Sequence, residues 1–271
     1  MADVGRDGTA STKTRIVGRI KMSGIFGLKL WSTNPQLLGQ AEEVIKKDLF
    51  QYIELSIVPD TDSSPFLSYH LPCCIHITTD LHGVNIASQK SRVSAARQIK
   101  CCIEWADRLD ARNLILHPGV GEIDDALYFL KDLEDDRILI ENMPRSGLHG
   151  EKMVGYSPDQ METLMGDHFG FCLDLNHAMK ASADLQVPHD ILIRDFLKLQ
   201  PEMFHISDGH SSSKIDEHLT IGAGDYDIPA LLGYVRDSRS PVMTLETPRA
   251  DLTSLSEDLI NLDVIKHFRI L

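Results

Sequence analysis

Acidic and histidine side chains follow short apolar runs at several places in this chain. The clearest case is the segment 169–177, where the apolar run ends at Asp174 and His177 follows three positions later. Apolar runs of four to eight residues are typical of buried strands. Carboxylate and imidazole groups are common metal ligands. The pattern therefore predicts a core strand that delivers chemistry at its carboxyl end.

The same pattern recurs along the sequence and in a polar loop after one of the runs. The residues that share it are His76, His117, Glu141, Asp174, His177, His205, Asp216, His218 and Glu246. Four carboxylates and five imidazoles in one cavity would repel one another or shift their pKa values unless cations compensate. Nine ligands exceed the needs of one ion, and imidazole with carboxylate suits zinc, manganese or iron. We therefore expect two or three ions, an arrangement that recurs in phosphoester hydrolysis.

The elements that would position these residues alternate regularly between strand and helix. The predicted strands are 25–31, 52–58, 71–77, 113–117, 137–141, 170–174, 203–207 and 242–246. The predicted helices, some with apolar stripes at helical spacing, are 36–49, 88–109, 124–133, 158–165, the stretch up to 199 with a break at Pro188, 228–236 and 252–268. Alternation of this kind implies a parallel sheet with helical crossovers.

The spacing of the strands predicts a closed barrel. Ile25 and Val242 are 217 residues apart over seven intervals, or 31 residues per unit, close to the roughly 250/8 of (β/α)8 barrels. We predict an α/β protein with a single-domain (β/α)8 TIM barrel over residues 23–271. Because the carboxyl ends of all eight strands meet at one face of such a barrel, the candidate ligands would converge there.

The first 22 residues differ from the rest of the chain in composition. They are rich in Gly, Ser, Thr and charge and show no apolar periodicity. We expect a flexible N-terminal tail over residues 1–22. Met22 is a candidate start, because the first predicted strand follows at once.

Composition and charge limit the classes of function. The formal net charge of −13, from 27 basic and 40 acidic residues, argues against a broad basic surface for nucleic acid but not against a local basic groove. No apolar stretch reaches the ~18 residues of a membrane span, and the N-terminus has no apolar signal segment. The five cysteines form no C-x-x-C motif and are expected to be buried and reduced. We therefore expect a cytoplasmic enzyme with no membrane partner.

Two further features flank the candidate ligands. Asp208 and His210 follow His205 closely and are candidates to support the ligands through hydrogen bonds. Gly222 and Gly224 precede a predicted helix, where backbone N–H groups suit a phosphate contact. The glycine pair is not a dinucleotide-binding fingerprint, because no G-x-G-x-x-G follows a strand.

The ordered motifs resemble endonuclease IV, an apurinic/apyrimidinic endonuclease of the xylose isomerase-like barrel superfamily. The matching pieces are 116–119 (LHPG), 140–142 (IEN), 173–177 (LDLNH), 204–208 (FHISD), 216–224 (DEHLTIGAG) and 245–247 (LET). They cover the predicted strands four to eight, about half of the chain. Each piece is short, but the ordered set is specific.

The resemblance implies up to three zinc ions and a hydrolytic reaction on DNA. The implied ligand sets are His76, His117 and Glu141 for the first ion; Glu141, Asp174, His205 and Glu246 for the second; and His177, Asp216 and His218 for the third. It also implies that a shared hydroxide attacks the phosphorus 5′ to an abasic site. Glu141 and Glu246 would be the catalytic carboxylates.

The sequence departs from that family in the loops that would enter DNA. The family carries an Arg and a Tyr after the second and third strands, where this chain has 58–63 (VPDTDS) and 78–82 (TTDLH). These pieces are acidic and lack Arg, Lys and Tyr. An early His-containing motif of the family is replaced by 27–31 (GLKLW). The metal centre therefore matches the family better than the surface that would read duplex DNA.

Two other functions compete with the hydrolase. The first is a sugar isomerase or epimerase of the same superfamily, in which one Mn²⁺, Co²⁺ or Mg²⁺ is held by Glu141, Asp174, His205 and Glu246. The two glutamates would then exchange a proton with a small sugar substrate. The acidic loops favour this function, but it leaves surplus ligands, namely His76, His117, Asp216 and His218. The second is a catalytically silent barrel used as a binding or regulatory module, which the complete ligand set disfavours.

Overall fold

Eight parallel strands close into a barrel in the computed structural model, which describes residues 24–271. The strands follow one another around the barrel in chain order, and the first pairs with the last. They are β1 Ile25–Trp31, β2 Tyr52–Ile57, β3 Cys73–Ile77, β4 Leu114–Leu116, β5 Ile138–Glu141, β6 Gly170–Asp174, β7 Met203–Ile206 and β8 Val242–Leu245. The predicted single-domain (β/α)8 TIM barrel is confirmed. The predicted tail, 1–22, lies outside the described residues.

A helical segment follows every strand. The helices are α1 Leu38–Lys46, α2 Ser64–Leu67, α3 Arg92–Leu109, α4 Ile123–Leu130, α5 Pro158–Met165, α6 Leu175–Leu185, α7 His189–Leu197, α8 Ile228–Asp237 and α9 Ser256–His267. Short 3-10 turns at Pro35–Leu37 and Gln89–Ser91 precede α1 and α3. Two segments were not predicted, α2 and the 3-10 turn Asp80–His82, because three or four residues are too few to show a helical period.

Alternation along the strands explains why the ligands face one cavity. Successive strand residues point to opposite faces of a sheet, so residues two positions apart share a face. The barrel interior holds a buried cluster of Cys74, Ile115, Leu139, Cys172 and Met203. The residues two positions after these are His76, His117, Glu141, Asp174 and His205. An apolar layer inside the barrel therefore lies directly beneath a layer of candidate ligands.

Gly27 makes room for an aromatic ring beneath that polar layer. A Cβ atom at Gly27 would lie 2.3 Å from Cζ of Tyr52 and 2.6 Å from Oγ1 of Thr244. The hydroxyl groups of Tyr52 and Thr244 are themselves 2.8 Å apart. The missing side chain therefore lets the Tyr52 ring lie inside the barrel.

The cysteines and the helices bear on two further expectations from the sequence. The five cysteines are all free, and only Cys101 among them is partly exposed. Within residues 24–271, no helix combines the length and the apolar character that crossing a membrane requires.

Candidate metal centre

The nine candidate ligands divide into three sets at the carboxyl face of the barrel. Within each set, one ligand atom per residue can be chosen so that all of them lie within 4.8 Å of one another. The first set is His76, His117 and Glu141; the second is Glu141, Asp174, His205 and Glu246; the third is His177, Asp216 and His218. These three sets coincide with those that the resemblance implies, but some of the same residues also form two further groups, Glu54 with His76, His205 and Glu246, and Cys172 with Glu141 and His205.

Glu141 belongs to two sets because its two oxygens face different imidazoles. Its side chain is fully buried at the end of β5. Oε2 lies 2.9 Å from Nε2 of His117 and 3.4 Å from Nε2 of His76. Oε1 lies 3.2 Å from Nδ1 of His205. This is the geometry expected of a carboxylate that bridges two cations.

The second set contains three buried polar atoms without hydrogen-bond partners among the described residues. They are Oε1 of Glu141, Oδ2 of Asp174 and Nδ1 of His205. Nδ1 of His205 lies 3.9 Å from Oδ2 of Asp174 and 3.4 Å from Oε1 of Glu246. Buried polar atoms are normally satisfied, and these converge on one point. A cation bound at that point would satisfy them, so the residues fit a metal ion.

Four of the five imidazoles turn one ring nitrogen toward an acceptor. The pairs are Nδ1 of His76 with the Ile77 carbonyl (3.0 Å), Nδ1 of His177 with the Asn142 carbonyl (2.8 Å), Nδ1 of His218 with the Glu246 carbonyl (2.9 Å) and Nε2 of His205 with Oε2 of Glu54 (2.9 Å). Each acceptor takes a ring N–H, so the other nitrogen is free to face its ligand set. Metal-bound histidines characteristically donate a hydrogen bond from the N–H of their second ring nitrogen in this way.

Asp174 connects the second set to the helix that carries the third. It ends β6 and is also the N-cap of α6, where its Oδ1 accepts the backbone N–H of His177 at 2.6 Å. Its other oxygen faces the second set. The side-chain amide of Asn142 bonds both the N–H and the carbonyl of Asp174. The backbone at this strand end is therefore held from two sides.

The third set joins the first turn of α6 to the loop after β7. Oδ2 of Asp216 lies 3.4 Å from Nε2 of His177 and 3.3 Å from Nε2 of His218. Its Oδ1 accepts a 2.7 Å hydrogen bond from Asn176, whose own oxygen accepts the Tyr226 hydroxyl. The carboxylate is thus oriented before any ion binds.

Asp208 organises the loop that supplies Asp216 and His218. Its buried carboxylate accepts hydrogen bonds from four backbone N–H groups, those of Gly209, Gly222, Gly224 and Tyr226, at 2.7–3.3 Å. Its backbone also pairs with that of Leu219 in both directions. Asp208 therefore supports the ligands through the loop backbone and not through direct contact with their side chains.

This arrangement corrects the expected phosphate contact at Gly222 and Gly224. The N–H groups of both glycines are directed at the Asp208 carboxylate, so they are not free to bind a phosphate. His210, the other expected supporting residue, has an exposed ring that lies 3.1 Å from Glu217. That ring contacts the loop and none of the nine ligands.

Lys29 and Glu54 are two site residues that the sequence analysis did not include. Nζ of Lys29 contacts Glu246 and lies 2.5 Å from Oε1 of Glu54. Glu54 is fully buried in β2, and its Oε2 accepts hydrogen bonds from His205 and Thr244. Alternation along the strands could have identified them, because it places both side chains on the inward face of the barrel.

Neighbouring charges shift the pKa values of the ligands. Burial favours the neutral form of Glu141, but His117 and His205 hold its pKa well below the ordinary value. Burial is likewise opposed at Glu246, where His205 and Lys29 bring the pKa to about 2. Both carboxylates are therefore ionised at neutral pH, as metal binding requires.

The pKa values of Asp174, Asp216 and His218 shift in different directions. Burial opposes the charged form of Asp216, but His177 and His218 hold its pKa well below the ordinary value. At His218 the neighbouring Asp216 overcomes burial and raises the pKa to about 9. Burial raises the pKa of Asp174. Without metal, the third set therefore consists of an ionised carboxylate and protonated imidazoles. A cation that binds there would have to displace the imidazole protons.

A cavity of about 490 Å³ opens above the ligand sets. Its lining includes the candidate ligands His117, His218 and Glu246 and several apolar residues, namely Trp31, Leu81, Val84, Met143, Leu148 and Met153. Trp31 and Leu81 are 40% and 82% exposed, so the cavity reaches the surface. Lys29 is the one lysine or arginine among the lining residues within 24–271.

A larger cavity, about 820 Å³, lies at the opposite end of the barrel. It is bordered by the starts of strands, including Ile25, Cys73 and Val242, and contains none of the nine ligands. Because active sites of such barrels lie at the carboxyl ends of the strands, the smaller cavity is the candidate site.

Comparison with known proteins gives a family and a fold. Residues 68–269 match the sequence profile of the xylose isomerase-like TIM barrels. Uncharacterized protein MJ1614 of Methanocaldococcus jannaschii is 24% identical over 210 residues, which are 69% of this chain and 77% of that protein.

Two solved structures share the fold over most of both chains. Endonuclease IV from Thermus thermophilus is 23% identical with a TM-score of 0.66, covering 90% of this chain and 98% of its own. A D-tagatose 3-epimerase-like protein is 18% identical with a TM-score of 0.65, covering 90% and 97%. At these identities the likeness shows the fold alone.

Proposed function

The chain belongs to the xylose isomerase-like TIM barrel family, and we propose that it is a metal-dependent phosphodiester hydrolase of the endonuclease IV type. Up to three zinc ions are the proposed cofactors. The proposed substrate is DNA with an abasic site, cleaved on the 5′ side of that site. The ordered motifs that resemble endonuclease IV support this assignment, whereas the fold itself is shared with endonuclease IV and with a D-tagatose 3-epimerase-like protein alike.

The observation that carries the proposal is the third ligand set. Ligand atoms of His177, Asp216 and His218 lie within 4.8 Å of one another. In both imidazoles Nδ1–H donates a hydrogen bond to a backbone carbonyl. An isomerase with one ion needs the second set only. A fully oriented third set, held by Asn176 and by Asp208 through the loop, therefore favours a multinuclear hydrolase.

Several residues of the site have roles in the proposed reaction. Zinc ions held by these sets would supply a hydroxide nucleophile and would stabilise negative charge on a phosphoryl group. Glu141 is placed to offer one oxygen to the first set and the other to the second. Lys29 holds Glu246 at the border of the second set and the cavity.

A sugar isomerase or epimerase is the second candidate, and the cavity favours it. Its volume of about 490 Å³ falls within the ~300–1,000 Å³ of small-molecule sites. Within residues 24–271, Lys29 is the one lysine or arginine that lines it, and it is already paired with Glu54 and Glu246. Proteins that bind DNA neutralise phosphates with such residues. In this case a single Mn²⁺, Mg²⁺ or Co²⁺ in the second set acts with Glu141 and Glu246.

A pair of assays separates the two functions. The zinc-loaded chain is incubated with a labelled duplex that carries one abasic site, with an undamaged duplex as the control, and each reaction is repeated with EDTA. We expect a single nick 5′ to the abasic site that EDTA abolishes. In parallel, the Mn²⁺-loaded chain is incubated with ketohexoses in D₂O, and deuterium incorporation at C3 is followed by NMR. Deuterium exchange without incision would contradict the hydrolase and support the epimerase.

A further inference from the structure

Glu54 is a fully buried carboxylate that the proposed reaction does not use. It lies in β2, one inward position beyond Tyr52, and its exposed fraction is 0%. Oε2 accepts hydrogen bonds from Nε2 of His205 at 2.9 Å and from the Thr244 hydroxyl at 2.6 Å. Oε1 accepts a hydrogen bond from Nζ of Lys29 at 2.5 Å. Both oxygens are therefore engaged.

We propose that Glu54 is the positioning residue that presents His205 to the second ligand set, and that Lys29 holds Glu54 in place. A carboxylate that also takes a hydrogen bond from Lys29 acts as an acceptor, so Nε2–H of His205 donates to Glu54. Nδ1 is then the ring nitrogen turned toward Glu141 and Glu246, at 3.2 and 3.4 Å. The inference rests on the proposed function only in requiring a metal ion at this set.

The contacts of Glu54 distinguish support from direct ligation. Glu54 lies close enough to His76, His205 and Glu246 to form a further ligand set with them. However, Lys29 lies between Glu54 and Glu246 and bonds to both carboxylates. A cation already occupies the place that a metal bound to Glu54 would need.

The charge of Glu54 is what sets His205 apart from the other ligands. The second ring nitrogens of His76, His177 and His218 meet backbone carbonyls. A carboxylate partner raises the basicity of an imidazole ligand more than a neutral carbonyl does. Because Lys29 contacts Glu246 as well, it joins the support of His205 to a second ligand of the same set.

Two variants test this role. The double variant Lys29→Met/Glu54→Leu removes the carboxylate acceptor and its ammonium partner together. Removing only one partner of a buried ion pair would leave an unpaired charge, which strongly destabilises a protein. Glu54→Gln keeps an acceptor oxygen and removes the charge. Asp135→Asn is the control, because Asp135 is a nearly buried carboxylate that pairs with Arg137 and contacts none of the ligands.

The readouts are metal affinity and the Nε2–H hydrogen bond of His205. Competition titrations with Zn²⁺ and the visible absorption of bound Co²⁺ measure affinity, and the downfield Nε2–H proton resonance in ¹H–¹⁵N NMR of the metal-free chain measures the hydrogen bond. We expect the double variant to bind its second-set ion about 10–100-fold more weakly and to lose the downfield resonance. Glu54→Gln is expected to keep the hydrogen bond with a smaller loss of affinity, and Asp135→Asn to change neither.

The outcomes separate this role from the proposed function. Unchanged second-set affinity and an unchanged Nε2–H resonance of His205 in a folded double variant would overturn the role of Glu54. If the double variant does not fold, unchanged affinity in Glu54→Gln overturns it instead. A wild-type chain that binds no metal contradicts the proposed function, and the Nε2–H hydrogen bond in the metal-free chain still tests Glu54.

Discussion

Nε2 of His177 lies 3.4 Å from Oδ2 of Asp216, although the two residues are 39 positions apart in the chain. His177 belongs to the first turn of α6, which Asp174 caps, and Asp216 belongs to the loop that Asp208 organises. The third ligand set is therefore assembled by tertiary contacts between two separately stabilised segments. The proposed hydrolase needs this set, and a one-metal isomerase does not.

Replacing Asp216 is expected to empty the third set. In Asp216→Ala, only His177 and His218 remain, so we expect one fewer zinc ion per chain. Loss of a preorganised electrostatic group of this kind lowers kcat by about 100-fold or more. Zinc analysis and the incision assay measure both effects. Asp225→Ala is the matched control, because Asp225 is an exposed carboxylate of the same loop and accepts the Ser211 N–H. Full zinc content and full activity in Asp216→Ala would exclude a third metal site.

Removing the Asp208 carboxylate is expected to affect both stability and the third set. In Asp208→Ala, four buried or partly buried backbone N–H groups lose their acceptor. Leaving buried donors unsatisfied costs about 1–3 kcal/mol, so the urea midpoint should fall and zinc should bind more weakly at Asp216 and His218. The urea midpoint of Asp208→Asn, which keeps one acceptor oxygen, should lie between those of the wild type and Asp208→Ala. An unchanged midpoint in Asp208→Ala would show that the loop is held by other contacts.

The raised pKa of His218 predicts how the metal-free chain responds to pH. Its folded-state pKa of about 9 lies above the ordinary value of ~6.5. The stability that this group contributes is therefore fully present below pH ~6.5 and is lost as pH rises toward about 9. Chemical unfolding of the EDTA-treated chain from pH 6.5 to 9 measures this decline, which should be smaller in His218→Gln. A profile that is the same in both proteins would contradict the prediction.

Zinc binding at the third set should show the opposite trend. Zinc must displace the His218 proton, so its apparent affinity is expected to rise with pH over the same window. Calorimetric titrations in buffers of different ionisation enthalpy count the protons released. Binding without proton release near neutral pH would show that His218 is not a ligand.

A substitution beneath the site tests the packing of the barrel interior. In Gly27→Ala, the new methyl group would meet the Tyr52 ring at 2.3 Å, and overpacking of this kind costs about 1–3 kcal/mol. The free energy of unfolding should fall by that amount. Gly233→Ala is the control, because this position in α8 has open space and alanine favours a helix by up to ~1 kcal/mol. Equal stability of the two variants would contradict the described position of Tyr52.

The barrel and the ligands were accessible from sequence for one physical reason. A buried parallel strand is apolar along its length, so a polar residue such as Glu141 or Asp174 at its end stands out. The chain needs no tertiary information to show this pattern. Predicted strand bounds for β1 and β6 therefore agree with the structure, and the other strands differ by one or two residues.

The support of the site was not accessible from the same pattern. Lys29 and Glu54 lie within strands and neutralise each other across β1 and β2, a pairing that the register Lys29↔Glu54 establishes. Sequence alone does not give that register. Likewise, the glycines 222 and 224 suit any anion, and only the folded loop shows that the anion is the chain's own Asp208.

The zinc content of the purified full chain tests the trinuclear account most directly. Measured by elemental analysis after removal of loosely bound metal, it should approach three zinc ions per chain, one for each ligand set, and should fall toward two in Asp216→Ala. A single exchangeable Mn²⁺ or Mg²⁺ per chain, unaffected by Asp216→Ala, would contradict the hydrolase and identify the second set as the one metal site.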